Sequence, residues 1–385
     1  MKRIRSRSLL ALSTTALALP GIARADSPPL ASTLSYKISN YKEDELSRRE
    51  VLFGDLDRYD IDVHQFQFLT PLGRNMSLQV DANYESLSGA SPWFTSAGLD
   101  GKPIVNLSGA SGIRDRRAEI AIAASYYLDN GSVSGNLGYS EEDDYRAFYG
   151  GLSGERHFNN DSTTVAAGLS YSSDDIFPTD AEIFSRVNSE HKDSASVFFS
   201  ISQLINQSSS FQTGFSITEQ FGFLSDPYKL RDVRPEEKTQ LAWTSSYRQF
   251  FASANAALHI NYRLYHDDFG ISSHTLDTAW HQNIGRGFRL IPGIRYYSQS
   301  AANFFTNVDD FTQALTEYQS SDYRLSAFGA ISGSISLVAE FANWTTTLTA
   351  ERYITDEKYS AYEVSRPSTA LVSYNRVSVD IDYRF

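Results

Sequence analysis

Apolar and polar residues alternate with a period of two along most of this chain. In its last segment the apolar positions are Val377, Val379, Ile381, Tyr383 and Phe385, and each residue between them is polar or charged. Successive side chains of a β-strand point to opposite faces, so the segment predicts a strand with one apolar and one charged face. A soluble sheet gives the same local pattern, but the two aromatic residues at the end of the apolar face favour a strand that contacts lipid.

A second alternating segment, residues 119–139, contains a turn. Asn130 and Gly131 form the residue pair that type I′ turns favour. If this pair is the whole loop, Leu128 lies opposite Val133, and the apolar residues of the two strands share one face. The segment therefore predicts an antiparallel hairpin.

Similar segments recur along the whole chain and predict sixteen strands. Connectors after even-numbered strands are short, such as 71–75 and 130–131, whereas several after odd-numbered strands are long, such as 88–115 and 301–320. Short turns at one end and long loops at the other are typical of outer-membrane barrels, whose even strand number puts both termini on the periplasmic side. The predicted strands lie near residues 30–42, 58–70, 75–87, 116–128, 132–144, 145–158, 162–173, 194–206, 209–222, 238–251, 254–267, 271–285, 287–300, 321–341, 343–354 and 369–385.

The fold class that we predict is all-β, a transmembrane antiparallel β-barrel of about 16 strands with short periplasmic turns and long extracellular loops. A secreted β-sandwich would explain the alternation but not the unequal connectors. Proline placement supports the barrel, because proline cannot donate to a strand ladder and a closed barrel has no free edge. Of the 11 prolines only Pro292 lies inside a predicted strand, which predicts a bulge or a shifted boundary there.

The first residues have the pattern of a secretory signal peptide. Residues 1–7 are basic, residues 9–19 form an apolar segment, and Ala23-Arg24-Ala25 is a small-x-small cleavage site. The apolar segment is shorter than the roughly 20 residues that a membrane-spanning helix needs. We therefore predict a signal peptide over residues 1–25, cleaved after Ala25, and a barrel over residues 26–385.

Composition narrows the function classes. The chain contains no Cys, which excludes disulfides, thiolate metal sites and cysteine nucleophiles. Without the five basic residues of the predicted signal peptide, 29 basic residues remain against 46 acidic ones, a net charge of -17. Such a chain offers no basic surface for phosphates, so we expect no nucleic-acid partner. The acidic excess favours cations over anions as the solutes that it attracts.

Four short motifs carry a resemblance to a known family. They are Tyr41-Lys42-Glu43-Asp44, Leu87-Ser88-Gly89-Ala90-Ser91-Pro92, Tyr139-Ser140-Glu141-Glu142-Asp143-Asp144-Tyr145 and Asp322-Tyr323-Arg324-Leu325-Ser326. With them the chain resembles the proteobacterial outer-membrane family catalogued as domain of unknown function 3570. The resemblance implies an outer-membrane barrel of unknown cargo, encoded beside a small lipoprotein and periplasmic redox or flavin-transfer proteins. It implies no catalytic residues.

The densest acidic run is a candidate cation site. Glu141, Glu142, Asp143 and Asp144 lie between the fifth and sixth predicted strands. Carboxylate oxygens at this density suit Ca²⁺ or Mg²⁺, although the spacing is not that of an EF-hand. The run is interpreted either as a solvated loop tip, or as a cation-attracting mouth or a divalent bridge to lipopolysaccharide phosphates.

Lumen-facing charges form a second candidate site. If Leu258 and Leu276 face lipid, then His259, Arg263, Asp277 and His281 face the lumen, as Asp380 and Asp382 do on the last strand. A turn centred at Asp268 places His259 opposite Asp277. Such a pair would make the lumen charge respond to mildly acidic pH, unless it is an ordinary structural pair.

The longest loop, residues 88–115, contains Trp93 and Phe94 between two near-copies of Ser-Gly-Ala-Ser. Exposed aromatic side chains need a burial site. The loop is expected either to fold into the barrel and narrow the pore, or to pack on neighbouring loops outside it.

The sequence favours a Gram-negative outer-membrane protein that is a porin-like or substrate-specific channel for small cationic solutes or complexes. The alternative is a non-conducting, plugged barrel that docks a periplasmic lipoprotein or a redox or flavin-transfer partner. None of the 7 His lies in a nucleophile-elbow or His-Glu-x-x-His context, so we expect no catalysis and no cofactor. Expected contacts are membrane lipid, lipopolysaccharide and, through the strand ending at Phe385, the barrel-assembly machinery.

Overall fold

Sixteen antiparallel strands close into one barrel in the computed structural model, which describes residues 28–54, 56–107 and 114–385. Each strand pairs with its neighbours in the chain, and the first pairs with the last. This confirms the predicted barrel and its strand number; the predicted signal peptide lies outside the described residues. The strands are β1 Thr33–Glu43, β2 Asp60–Pro71, β3 Met76–Ser88, β4 Arg114–Leu128, β5 Gly131–Glu141, β6 Tyr145–Phe158, β7 Thr163–Ile176, β8 Glu190–Asn206, β9 Ser209–Gly222, β10 Glu237–Phe251, β11 Ala256–Asp267, β12 Ser272–Ile284, β13 Phe288–Gln299, β14 Phe328–Phe341, β15 Trp344–Asp356 and β16 Tyr374–Arg384.

The two faces of the barrel differ as the alternation predicts. Large apolar side chains such as Ile122, Leu137 and Leu169 are exposed on the outer face. Small polar side chains such as Ser125 and Ser134, whose hydroxyls lie 2.8 Å apart, are buried on the inner face. An outer apolar band around a polar interior is the pattern of barrels that span membranes. No helix in the described part of the chain is long and apolar enough to cross a membrane.

The hairpin at Asn130 follows a different register from the one predicted. Leu128 pairs with Gly131 rather than Val133, so the two loop residues are Asp129 and Asn130. Gly131 begins β5 with a φ of 155°, and a Cβ there would lie 2.1 Å from the carbonyl oxygen of Glu155. Glycine is therefore needed for the close approach of β6 and not as a loop residue. The faces still match, because the error is two residues and the side-chain period is also two.

Pro292 lies inside β13 without a bulge or a boundary shift, so the expectation of either was wrong. The pairing of β12 with β13 keeps one register on both sides of the proline, from Ala279–Gly293 to Gln282–Leu290. Only the intervening pairs are missing, because proline has no N–H to donate. On its other side Pro292 pairs with Ile335 of β14.

The strand ends near the long loops are the least well predicted. β14 begins at Phe328 instead of near residue 321, since Tyr323–Leu325 forms a 3-10 helix that the side chain of Asp322 caps. β16 begins at Tyr374 instead of near residue 369. In both places alternating residues belong to packed loops and not to the barrel wall.

The two ends of the barrel are built differently. At the turn end, strands connect through two to four residues, and Ser32 and Phe385 exchange backbone hydrogen bonds of 2.9 Å. At the loop end, long connectors pack together into what we call the cap. The cap consists of residues 44–54, 56–59, 89–107, 142–144, 177–189, 223–236, 268–271, 300–327 and 357–373. The two largest buried apolar clusters lie there, one around Val105 and Leu107 and the other around Phe269 and Phe305.

Candidate functional site

Cap segments from different sides of the barrel contact one another across its mouth. Residues 89–107 connect β3 to β4, and they meet residues 223–236, which connect β9 to β10, where Leu230 N–H donates to the Trp93 carbonyl at 2.9 Å. Thr95 and Asp309, which lies between β13 and β14, bond in both directions at 2.7 and 2.9 Å. These segments arise six strands or more apart in the ring. The cap is therefore interlocked over the loop end of the lumen.

The aromatic residues of the longest loop are half-buried against other parts of this cap. The Trp93 ring lies 6.2 Å from Phe184, and the Phe94 ring lies 6.0 Å from Phe311, both of which belong to other cap segments. Val105 of the same loop forms a parallel bridge with Val51 of a further cap segment. The described part of this loop therefore packs on neighbouring loops, which is the second of the two alternatives expected from the sequence.

A network of charged side chains forms the centre of the cap. Asp322 accepts hydrogen bonds of 2.8 Å from both Arg234 and Arg324, and these arginines also pair with Asp232 and Asp226 at 2.8 and 2.9 Å. The Asp322 side chain is fully buried. Burial alone would raise the pKa of Asp322, but Arg324, Lys229 and Arg234 together hold it well below its ordinary value. The network holds together segments that are about 90 residues apart in the chain. The alternation of apolar and polar residues does not predict these contacts.

A second buried pair joins the barrel rim to the cap. The Arg58 side chain donates to Glu43 at 2.9 Å and to the Ala370 carbonyl at 3.0 Å, and its guanidinium lies 5.3 Å from the centre of the Tyr323 ring. Both charged side chains are almost fully buried. Glu43, Tyr323 and Asp322 belong to the motifs that carried the family resemblance. The sequence signal for the cap was therefore present in those motifs, without any indication of what they contact.

The acidic run of residues 141–144 divides between the outside and the interior of the cap. Glu141 is exposed and pairs with Arg146 at 3.2 Å. Glu142 and Asp144 instead lie with Asp115 of β4, and one carboxylate oxygen from each of the three lies within 4.8 Å of the others. The interpretation as a solvated loop tip is wrong for Asp144, which is 1% exposed. Sequence reasoning missed Asp115, because it lies 27 residues earlier and is brought there by strand pairing.

The environment of this cluster is strongly acidic. Arg117 lies beside the cluster. Its guanidinium binds Glu119 at 2.8 Å, and it lies 3.8 Å from Glu142 and 3.9 Å from Glu85. Burial, with the nearby charge of Asp115, raises the pKa of Glu142 to about 8. Burial also raises the pKa of Asp144 to about 7, although its hydrogen bond from Tyr228 opposes the shift.

The predicted partner of His259 was wrong. His259 pairs with Ala279 across the β11–β12 hairpin, because the turn is centred one residue later than Asp268. The ring of His259 lies 3.9 Å from that of His281, and Asp277 pairs with Arg295 at 2.5 Å. His259, Arg263, Asp277 and His281 share one face of β11 and β12, opposite the exposed apolar side chain of Leu276.

The inner face carries charges of opposite sign on opposite walls. β3 and β4 lie eight strands from β11 and β12 in the ring, so these pairs face each other across the lumen. The wall of β16, β1, β3 and β4 carries Lys37, Arg117 and Arg376, and its carboxylates include Asp81, Glu85, Glu119, Asp380 and Asp382. The wall of β10–β13 carries Asp267 and Asp277, and its basic side chains include Lys238, Arg248, His259, Arg263, His281, Arg289 and Arg295.

The charges of the lumen remain accessible to water. In the Arg295–Asp277 pair the side chains are 45% and 31% exposed, against 13% and 0% for Arg234–Asp322 in the cap. Arg248 donates to the amide oxygen of Asn261 at 2.8 Å, which leaves its charge without neutralisation by that partner. These lumen groups can contact a solute, whereas the buried Arg234–Asp322 pair of the cap cannot.

A sizeable hollow lies on the surface of the cap. Its volume is about 600 Å³, which is within the range of small-molecule sites. It lies between three cap segments and is lined by Pro235, Asp268, Phe269, Asn303, Phe304, Gln313, Thr316, Glu317 and Tyr318.

Solved structures of similar fold are outer-membrane proteins. The chain is similar to a bacterial polysaccharide outer membrane secretin, with a TM-score of 0.52 and 9% identity over 92% of this chain and 98% of that one. It is also similar to CdiB from Acinetobacter baumannii, with a TM-score of 0.52 and 5% identity over 93% of this chain and 60% of that one. The chain spans about half the length of the ferric enterobactin receptor of Pseudomonas aeruginosa, to which it is 12% identical with a TM-score of 0.43. At these identities the likeness concerns the fold alone.

No curated protein matches the sequence. A protein family does match, over residues 9–367, and it is described as a protein of unknown function, DUF3570. This confirms the resemblance carried by the four motifs. Since the match covers most of the chain, the protein belongs to the DUF3570 family.

Proposed function

We propose that this protein is an outer-membrane channel for small charged solutes, closed at its extracellular end by the cap. The observation that carries the proposal is the contrast between a polar, water-accessible lumen and an interlocked cap above it. A charge held away from water is costly unless it is paired, so half-exposed charges on the inner face indicate a lumen that water can enter.

The orientation follows from the two ends of the barrel. Outer-membrane barrels have short periplasmic turns and long extracellular loops, so the turn end faces the periplasm and the cap faces the cell exterior. The apolar outer band contacts lipid, and the exposed rim of the cap contacts lipopolysaccharide. Turns of two to four residues are too short to cover a sixteen-stranded lumen, so a periplasmic solute has access from below.

The two walls of the lumen favour a solute that carries both charge signs. Carboxylates such as Asp380 and Asp382 attract cationic groups, and guanidinium groups such as Arg248 and Arg289 attract anionic ones. A zwitterion, or a cation held by an anionic ligand, fits both walls at once. The net charge alone favours a purely cationic solute, but several of the carboxylates that produce it are paired within the cap.

The experiment is a solute-permeation assay on the refolded mature protein in liposomes. The wild type is compared with Asp322→Ala, which removes the centre of the cap network, and glycine, lysine and glutamate are the solutes. We expect slow permeation through the wild type and faster permeation through the variant, with glycine entering fastest. Equal, slow rates for all three solutes in a folded variant would contradict the proposal.

A non-conducting docking barrel is the second candidate, and the interlocked cap is the observation that favours it. In that case the periplasmic end binds a small lipoprotein or a redox or flavin-transfer protein. A variant whose cap is open but which still passes no solute would favour this candidate. Isolation of the complex from cells would then identify the partner.

A further inference from the structure

Three carboxylates converge at a buried position between the rim and the cap. Asp115 is the second residue of β4, and Glu142 and Asp144 lie in the connector between β5 and β6. An oxygen from each carboxylate lies within 4.8 Å of the others. Asp115 and Asp144 are almost fully buried, and the Glu142 side chain is 10% exposed.

One oxygen of this cluster has no protein partner. Asp144 uses its Oδ2 to accept a hydrogen bond from the Tyr228 hydroxyl, whereas its Oδ1 is buried without a hydrogen-bond partner. A buried carboxylate oxygen left without a partner is costly, and native proteins satisfy such atoms with water or an ion. The Oδ1 atom of Asp144 is therefore suited to contact a water molecule or an ion.

Arg117 lies beside Glu142 and is shared with other carboxylates. Its guanidinium lies 3.8 Å from Glu142, binds Glu119 at 2.8 Å and lies 3.9 Å from Glu85. One guanidinium thus faces three carboxylates at once.

We propose that Asp115, Glu142 and Asp144 bind one divalent cation of the Ca²⁺ type, which fastens the cap to the barrel. Ca²⁺ takes carboxylate oxygens at about 2.3–2.6 Å, so two oxygens on opposite sides of the ion lie roughly 4.6–5.2 Å apart. Mg²⁺ requires about 2.0–2.1 Å and hence a tighter cluster. The three carboxylate oxygens lie within 4.8 Å of one another, a separation of the size that Ca²⁺ coordination spans. The site does not depend on what the barrel transports.

The cation would act on the cap through Tyr228. The Tyr228 hydroxyl donates to Asp144 and accepts from the Thr179 backbone N–H at 3.0 Å. The Arg186 guanidinium lies 4.5 Å from the centre of the Tyr228 ring. Fixing Asp144 therefore fixes two cap segments, residues 177–189 and residues 223–236.

The experiment is calorimetric titration of the refolded, chelator-treated protein with CaCl₂ at pH 7.5, followed by limited proteolysis with and without CaCl₂. We expect one saturable site and at least a tenfold slower cleavage of the cap when Ca²⁺ is bound. The test variant is Glu142→Gln with Asp144→Asn, and the control is Glu141→Gln with Asp143→Asn, which removes two charges from the same run without touching the cluster.

The control variant should keep the site, and the test variant should lose both Ca²⁺ binding and protection. Heat-modifiable migration on gels shows that each variant has formed its barrel. If the test variant does not fold, Tb³⁺ luminescence of the wild type, excited through nearby tyrosines and displaced by Ca²⁺, serves instead. No saturable binding by the folded wild type up to about 10 mM CaCl₂, roughly ten times the weakest dissociation constants of extracellular calcium sites, would overturn the proposal, as would equal loss in both variants.

Discussion

The cap and the lumen wall both contain many charged residues, but they use them in opposite ways. In the cap, Asp322 is fully buried and bonded to two arginines, whereas in the lumen the Arg295–Asp277 pair is half exposed. Buried pairs are strongly destabilising to break, because the remaining charge has neither water nor a partner. Exposed pairs contribute little to stability and remain available to other ions. The difference teaches that burial decides which charged pairs hold the structure together and which remain open to water.

The largest expected effect is the loss of the cap centre. Asp322→Ala leaves Arg234 and Arg324 buried without their shared carboxylate, which costs about 3–5 kcal/mol in comparable buried networks. We expect proteolysis within residues 300–327 to become much faster while the barrel itself stays heat-modifiable. The matched lumen change, Asp277→Asn, should leave cap proteolysis unaltered. Equal sensitivity of the two variants would remove the distinction between the regions.

A smaller effect on the cap is expected from pH. Burial raises the pKa of Asp309 to about 6 from an ordinary value of 3.8. Because the folded-state pKa is the higher one, the cap favours the neutral carboxyl and loses stability as the pH rises from about 4 to about 6. The loss is at most about 3 kcal/mol. Asp309→Asn should abolish this dependence, measured as protease resistance at pH 5 and pH 7.5. A wild-type cap that is equally resistant at both pH values would contradict it.

The lumen should respond through selectivity and not through stability. In an Asp322→Ala background, Arg248→Ala with Arg289→Ala should shift the permeability ratio of K⁺ to Cl⁻ towards K⁺ by about threefold, the equivalent of a partly screened charge interaction. Asp380→Asn with Asp382→Asn should shift it towards Cl⁻. Reversal potentials in asymmetric KCl measure both. Shifts of the same sign in the two variants would mean that the walls do not act as opposed charges.

The smallest effect is expected at an exposed pair within the cap. Lys358 and Asp356 lie 2.8 Å apart, but their side chains are largely open to solvent. Lys358→Gln should leave cap proteolysis unchanged within error, because water replaces the lost partner. Clearly faster proteolysis of the variant would show that exposed charges also stabilise the cap, so that burial does not decide which charges matter.

The barrel could be predicted from the sequence because its signal is local. Alternation fixes which face each residue occupies, and errors of two residues at the Asn130 and Asp268 turns moved partners without moving faces. The cap could not be predicted, because Asp322 and Arg234, or Asp115 and Asp144, meet only after distant loops have folded together. Its only sequence signal was the set of motifs shared with the family, which indicated importance without indicating contact.

The most direct test of closure over a polar lumen is planar-bilayer conductance of the refolded mature protein. The wild type and Asp322→Ala are recorded side by side in asymmetric KCl, after both have passed the heat-modifiability check. We predict a wild type that is almost silent and a variant that opens in discrete steps. Steps of the same size and frequency in both proteins would contradict the account, because the cap would then not be what closes the lumen.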